Sequence, residues 1–281
     1  MREHEPDEVK PAPGPDQPPI PVRLVTFNIH HGVGPDGRHD LARVAQLLAG
    51  ADADVVCLQE VDRHFGPRSE GVDQALLLSR ALDLQLAYGP SVDEPGTSGR
   101  GGRPRDDDDR RQYGNALLSR LPILVTDVHP LPGGGEPRTA MRTLVELDGA
   151  ALWVTNTHLS PRSATDRAAQ AAAVAALHSD AMETGVVVGD LNADAGAPEL
   201  DVLRERFTDA WHLAQARSDQ GGRFSLRREQ GRTHPVGHPR VRIDQVWVSS
   251  GVAVRDARVL DGSAASDHHP LVVDLEVTSG V

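Results

Sequence analysis

Six apolar runs of this chain end in, or are preceded by, residues able to hold a cation or move a proton. LVTFN ends in Asn28, VVCLQE in Glu60 and LWVTNTH in His158. VVVGDLN carries Asp190 and Asn192, VRID carries Asp244, and SDHHPL puts Asp267 and His268 directly before the final apolar run. A buried carboxylate is costly unless paired or bound to a metal. Six such placements argue that the strand ends converge on one site. Oxygen donors without clustered cysteine fit a hard cation. Magnesium takes one or two carboxylates and keeps several waters, leaving room for a substrate phosphate. A cation there polarises a phosphoryl oxygen, and histidines beside it donate hydrogen bonds or move protons. The set suits phosphoester hydrolysis.

The elements that must position these residues follow from hydrophobic patterning. VRLVTFNIH, residues 22–30, reads as a buried strand; DLARVAQLLAGADADVVCLQEV reads as a helix capped by Asp40, a turn and a strand over 54–59. Residues 72–82 predict a second helix. NALLSR, ILVTDVHPL, RTLVELDG and ALWVTNTHL are strand-like runs a few residues apart, which favours antiparallel pairing. An alanine-rich helix, the buried strand GVVVGDLNAD and a helix near 198–205 come next. A stretch without clear pattern then runs to about residue 240, and VRIDQVWVSS, VAVRDARVL and HHPLVVDLEV close the chain as strands. Two blocks that each mix strands and helices predict an α/β (α+β) fold, with two mostly antiparallel sheets packed face to face and helices outside. No sequence repeat is evident.

Composition narrows the function. The 281 residues carry a formal net charge of −12, and a surface this acidic repels phosphate backbones, which argues against bulk DNA binding. Lys10 is the sole lysine and Cys57 the sole cysteine, so intramolecular disulfides and cysteine zinc sites are excluded. No apolar run is long enough for a membrane span, and the N-terminus has no secretory pattern, so a cytoplasmic protein is expected. Residues 1–21 are rich in proline and acid and read as a disordered tail ahead of one domain over 22–281. Residues 89–112, dense in glycine, proline and charge, read as a long loop, either mobile near a site or a surface insertion.

The ordered strings TFNIHHG, DVVCLQEVD, GNALLSRLPI, VTNTHLS, VVVGDLNAD, RIDQVWVS and SDHHPL resemble the endonuclease/exonuclease/phosphatase superfamily of metal-dependent phosphoesterases, over about residues 22–277. The resemblance implies a four-layer α/β/β/α sandwich with the site at one edge of the paired sheets. It implies Mg²⁺, or Mn²⁺, held by Glu60 with Asn28 beside it and Asp267 assisting. It implies that Asp190 orients or deprotonates the attacking water and that Asn192 holds nucleophile and phosphate. His158 is implied to contact the phosphate, and His268, oriented by Asp244, to donate to a phosphate oxygen. Asn115 and Arg138 are implied to line the cleft, the arginine touching phosphate. His30 and His158 depart from the DNA-repair members, which tend to carry Asp and Tyr there.

His30, His31 and His269 read as neighbours of the site. The DDDD run at 106–109 reads as solvated charge, and PGGGEPR at 132–138 lacks the strand–loop–helix setting of a phosphate loop. The expectation is a monomeric phosphoesterase hydrolysing a small-molecule or lipid-headgroup ester by in-line water attack. The alternatives are a nuclease of the same fold and a non-catalytic phosphate-binding module.

Overall fold

The computed structural model describes residues 18–96, 110–178, 183–220 and 231–278. The chain runs β1 (Ile20–Asn28), α1 (Leu41–Ala51), β2 (Val55–Arg63), α2 (Gln74–Leu82), β3 (Gln85–Pro95), β4 (Arg110–Ser119), β5 (Ile123–Leu131), β6 (Arg138–Leu147), β7 (Ala150–His158), α3 (Ala164–Ala176), β8 (Gly185–Asp190), α4 (Asp201–Arg204), β9 (Thr208–Asp209), α5 (Ala210–Gln220), β10 (Asp244–Val248), β11 (Val252–Val259) and β12 (Leu271–Val277). Helices α1, α2 and α3 start where short polar side chains satisfy free backbone donors. Asp40 accepts from the Ala42 and Arg43 amides, Asp73 from Leu76 and Ser163 from Asp166.

Two six-stranded sheets result, ordered β11-β12-β1-β2-β4-β3 and β5-β6-β7-β8-β10-β9. Each has a parallel pair at its centre, β1–β2 or β7–β8, with antiparallel neighbours on both sides. The crossovers α1 and α3 span those parallel pairs. The two sheets therefore repeat one pairing pattern that no sequence similarity reveals.

Strand alternation sorts the side chains into three apolar layers. Between the sheets lie Leu24, Val55, Cys57 and Leu117 from one sheet and Leu152, Val154, Val186, Val188 and Val246 from the other. Val25, Phe27, Val56 and Leu58 meet Val44, Leu48, Ala75 and Leu78 of α1 and α2. Val187 and Trp247 meet Ala171, Val174, Leu200 and Leu203 on the opposite outer face. The fold is the expected four-layer sandwich. Helix α5 packs its Ala210 and Ala214 into the central layer.

Three segments differ from expectation. The two ends of 89–112 are strand: β3 runs on to Pro95 and β4 begins at Arg110, and Gly114 lets the two backbones close. A Cβ at Gly114 would sit 2.2 Å from the Gly89 carbonyl. The DDDD run lies outside the described residues. The stretch taken as unpatterned contains β9 and α5, whose weak periodicity hides its few apolar anchors. β1 begins at Ile20, inside the segment read as tail.

Gly189 has φ +139°, and a Cβ there would lie 1.9 Å from the Thr157 carbonyl in the parallel pair β7–β8. Gly189→Ala is expected to cost about 2 kcal/mol or more in urea unfolding. Gly50, inside α1 with nothing within 4 Å of an added Cβ, is the control: Gly50→Ala should raise stability by about 0.5–1 kcal/mol.

Candidate active site

The period of two that builds the central layer also delivers the polar cluster. Along β7, Leu152, Val154, Asn156 and His158 face inward; along β8, Val186, Val188 and Asp190; along β10, Val248, Val246 and Asp244. Toward one end of the sandwich these rows change from aliphatic to polar. Gln59 donates to the Asn156 Oδ1 across the sheets at 2.7 Å, and Asn156 donates to the Leu58 and Ala116 carbonyls at 3.0 and 2.9 Å. These ties fix one sheet's register on the other immediately below the cluster.

Asp190 and Asp244 are direct partners on the β8–β10 ladder, and both are buried. The His268 Nδ1 meets Asp244 Oδ2 at 2.9 Å, which places a proton on Nδ1 and turns Nε2 toward Asp190 Oδ2 at 3.8 Å. Burial works against a charged ring, but Asp244, Asp190 and Asp267 outweigh it and push His268 up to about 10. Burial and the Asp244 charge raise the Asp190 carboxyl well above the usual range, against His268 and the Asn28 amide. Burial, with the Arg138 charge, lowers His158 to about 3, so that ring is neutral. Arg138 Nη1 lies 3.2 Å from His158 Nδ1. A guanidinium only donates, so His158 carries its proton on Nε2, 3.5 Å from Asp190 Oδ2.

Glu60 reaches the cluster by a different route. Alternation alone would send it to the helix-covered face with Val56 and Leu58. The β2–β4 register shifts between Leu58 and Val61, and Glu60 takes φ +57°. That bulge brings its carboxylate to the Asn28 amide, which donates to Glu60 Oε1 at 3.0 Å and to Asp190 Oδ2 at 3.1 Å. Burial opposes ionisation of Glu60, but His31, His158 and Asn28 hold it below the ordinary carboxylate range. The Asn28 Oδ1 accepts from the His30 amide at 3.0 Å. Asn28 thus braces two carboxylates apart.

The other expected residues divide. Asn192, at φ +51°, donates from its amide side chain to the Leu159 carbonyl and from its backbone to Asp190 Oδ1. Asp267 is half-exposed at the mouth, 3.8 Å from His30 and 3.9 Å from His234. Ser266, between Asp267 and β1, donates to the Asn28 carbonyl at 2.7 Å and seats the closing loop. Arg138 is buried behind His158 and pairs with Glu136 at 3.0 Å. Asn115 is also buried, and donates to the Thr139 carbonyl of the other sheet at 3.2 Å. His269 accepts from the Gly262 amide. His234 went unrecognised in the sequence. Its ring lies 4.5 Å from that of His268, and it sits in a proline-rich segment held by a bridge to Val241 and by backbone hydrogen bonds to the Asp267–His269 loop, with no periodicity to read.

The donor set fits a divalent cation. Asp244 Oδ1 and His31 Nδ1 are buried without a hydrogen-bond partner among the described residues. Three acid–imidazole groupings lie close enough to share an ion: His30–His31–Glu60, His234–Asp267–His268 and Asp190–Asp244–His268. Elsewhere, Thr155, His178 and Glu183 line up at 2.9 and 2.5 Å like a nucleophile triad, but Thr155 is fully buried and no substrate can reach it. No described helix is long and apolar enough to cross a membrane.

A family model described as the Endonuclease/Exonuclease/phosphatase family matches residues 25–268. No curated protein matches the chain. Among solved structures, an endonuclease/exonuclease/phosphatase from Beutenbergia cavernae DSM 12333 is 28% identical with TM-score 0.71, covering 93% of this chain and 72% of that one. A mannosyl-6-phosphatase of Bacteroides thetaiotaomicron VPI-5482 superposes with TM-score 0.66 at 17% identity, covering 90% of this chain and 99% of that one. The human Nocturnin catalytic domain superposes with TM-score 0.63 at 22% identity, covering 92% and 95%.

The His268–Asp244 pair makes a pH prediction for the metal-free protein. The folded pKa is raised above 6.5. Its contribution to stability is therefore complete below that value and is lost as pH rises through about 10. In ¹⁵N NMR titration the His268 imidazolium should persist through neutral pH. In Asp244→Asn, burial dominates and the midpoint should fall to 6.5 or below.

Proposed function

The chain belongs to the endonuclease/exonuclease/phosphatase family, and on that premise we propose that it is a divalent-metal-dependent phosphoesterase acting by in-line attack of water. One observation carries the reading: Glu60, Asp190, His158 and His268, delivered by four separate segments, meet through atoms held 3–4 Å from Asp190 or from the Asn28 brace. Among phosphoesters, a small-molecule or lipid-headgroup substrate suits the net charge of −12 better than a nucleic acid does.

Glu60 would hold the cation, with Asp267 at the mouth. Bound there, a divalent ion would supply Lewis-acid polarisation of a phosphoryl oxygen. The remaining roles belong to the chain. Asp190, with its raised pKa, accepts the proton of the attacking water near neutral pH. His158 offers a neutral Nε2–H and His268 a charged one, both on the Asp190 side, as donors to phosphoryl oxygens on which charge develops. Asp244 fixes the His268 ring and Arg138 the His158 ring, each by one hydrogen bond to Nδ1. Asn28 acts as a strut between the cation-holding and base-holding carboxylates, and Asn192 limits rotation of Asp190.

Hydrolysis of a panel of small phosphomonoesters and phosphodiesters, run beside plasmid nicking, tests the reading. Activity is expected on members of the small panel, abolished by EDTA and restored by a divalent salt. Asp190→Asn and His158→Ala should each lower kcat/KM by about 100-fold or more with the fold intact by circular dichroism. DNA nicking at enzyme levels inert toward the small esters would reverse the substrate preference. Hydrolysis of either class indifferent to EDTA would overturn the metal dependence.

A further inference from the structure

The chemistry of a cation site is set by its donors, and at this site nitrogen is prominent. His30, His31 and Glu60 each point one ligand atom into a space where all three lie within 4.8 Å of one another. The His31 Nδ1 is buried, has no hydrogen-bond partner among the described residues and stands 3.8 Å from Glu60 Oε2. A buried imidazole nitrogen with no protein partner beside a carboxylate is suited to bind a cation. The His30 Nδ1 lies 3.1 Å from the Val33 carbonyl, an acceptor only. The proton therefore resides on Nδ1, and Nε2 keeps its lone pair.

The backbone is built to hold the two rings there. His30 and His31 both adopt left-handed φ values, +45° and +42°, and Gly32 continues the run at +77°. Non-glycine residues pay strain in this region and keep it only where the surroundings enforce it. Here Asn28 Oδ1 accepts the His30 amide at 3.0 Å. Buried Gln74 of α2 donates to the His31 carbonyl at 2.7 Å while accepting the Asp62 amide at 2.9 Å, which locks the histidine turn to β2 beside Glu60. The rings meet edge to face with centroids 4.5 Å apart.

We propose that His30 and His31 join Glu60 as direct ligands, making a two-imidazole, one-carboxylate centre for a borderline first-row transition ion such as Zn²⁺ or Co²⁺. This rests on the metal-dependent reading above and replaces Mg²⁺ as the preferred ion. Mg²⁺ takes oxygen donors almost exclusively, whereas imidazole suits the later first-row ions. Among Zn²⁺, Co²⁺, Mn²⁺ and Mg²⁺, Zn²⁺ and Co²⁺ are the tight binders and Mg²⁺ the weakest.

The experiment uses the full chain, stripped of metal, and reads binding rather than turnover. Co²⁺ is titrated while its visible d–d absorption is followed, and Zn²⁺, Mn²⁺ and Mg²⁺ are titrated calorimetrically. The variants are His30→Ala, His31→Ala and, as a surface control, His129→Ala. The expected result is a Co²⁺ spectrum of nitrogen coordination in wild type and His129→Ala. His30→Ala and His31→Ala should each change that spectrum and weaken Co²⁺ and Zn²⁺ by more than the roughly 100-fold that loss of an outer-shell partner costs, with Mg²⁺ binding little altered. Far-ultraviolet circular dichroism confirms that the variants are folded. An unchanged Co²⁺ spectrum and affinity in His31→Ala would overturn the assignment while leaving metal-dependent hydrolysis intact. Failure of every ion to bind the wild-type chain would sink both.

Discussion

Asp190 and Asp244 face one another across a ladder with almost no exposure to water. Two ionised carboxylates in that position repel strongly, because little solvent intervenes to screen them. The structure answers with a cation between them: the His268 ring, held by Asp244 at 2.9 Å and aimed at Asp190. The surrounding features serve that arrangement. The closing loop is tied to β1 through Ser266 so that His268 arrives in place. Asn28 keeps Glu60 and Asp190 apart while neutralising part of their charge. Burial, with Arg138 behind it, keeps the His158 ring neutral, and Arg138 holds its donor face forward.

Strain is concentrated in the same region. His30, His31, Glu60 and Asn192 all occupy left-handed φ without being glycine, and all border the cluster. Of the other left-handed non-glycine residues, Asp52, Asp83 and Glu70 are ordinary C-caps and His64 lies in the turn after β2. A lattice of hydrogen bonds opposes the strain near the site: Gln59 to Asn156, Asn156 to two carbonyls of the other sheet, and Asn115 to Thr139. The central layer is thus aliphatic where only adhesion is needed and polar where side chains must be aimed. An aliphatic end would hold the sheets together equally well but would leave their register unspecified.

Much of this was legible in the sequence, for a simple reason. A strand that buries Val186 and Val188 between two sheets must present Asp190 to the same interior, and the same count along β7 gives His158 and along β10 gives Asp244. Four-layer architecture was equally readable from the mixture of apolar strands and capped helices. What the sequence concealed depends on departures from regularity. The inward turn of Glu60 needs a bulge, the histidine turn needs two left-handed residues in succession, and His234 is placed by a short bridge in a segment without periodicity. The burial of Arg138, expected at phosphate, depends on Glu136 and His158 sharing its guanidinium. The shared ladder pattern of the two sheets was invisible because it repeats pairing geometry and not residues.

The pairing of β1 with β12, from Ile20 opposite Val277 to Thr26 opposite Leu271, has a consequence for biosynthesis. β1 is made long before β12, so its hydrogen-bonding edge on that side stays open in the meantime. Asp267 and His268 precede that last strand directly. Until they arrive, the buried carboxylates of β8 and β10 lack the cation that makes their proximity tolerable. A chain without β12 and the loop before it would leave Asp190 and Asp244 facing one another without His268. The same adjacency of β1 and β12 makes circular permutation feasible, since a short linker between them could restore continuity while new ends were opened in a surface turn.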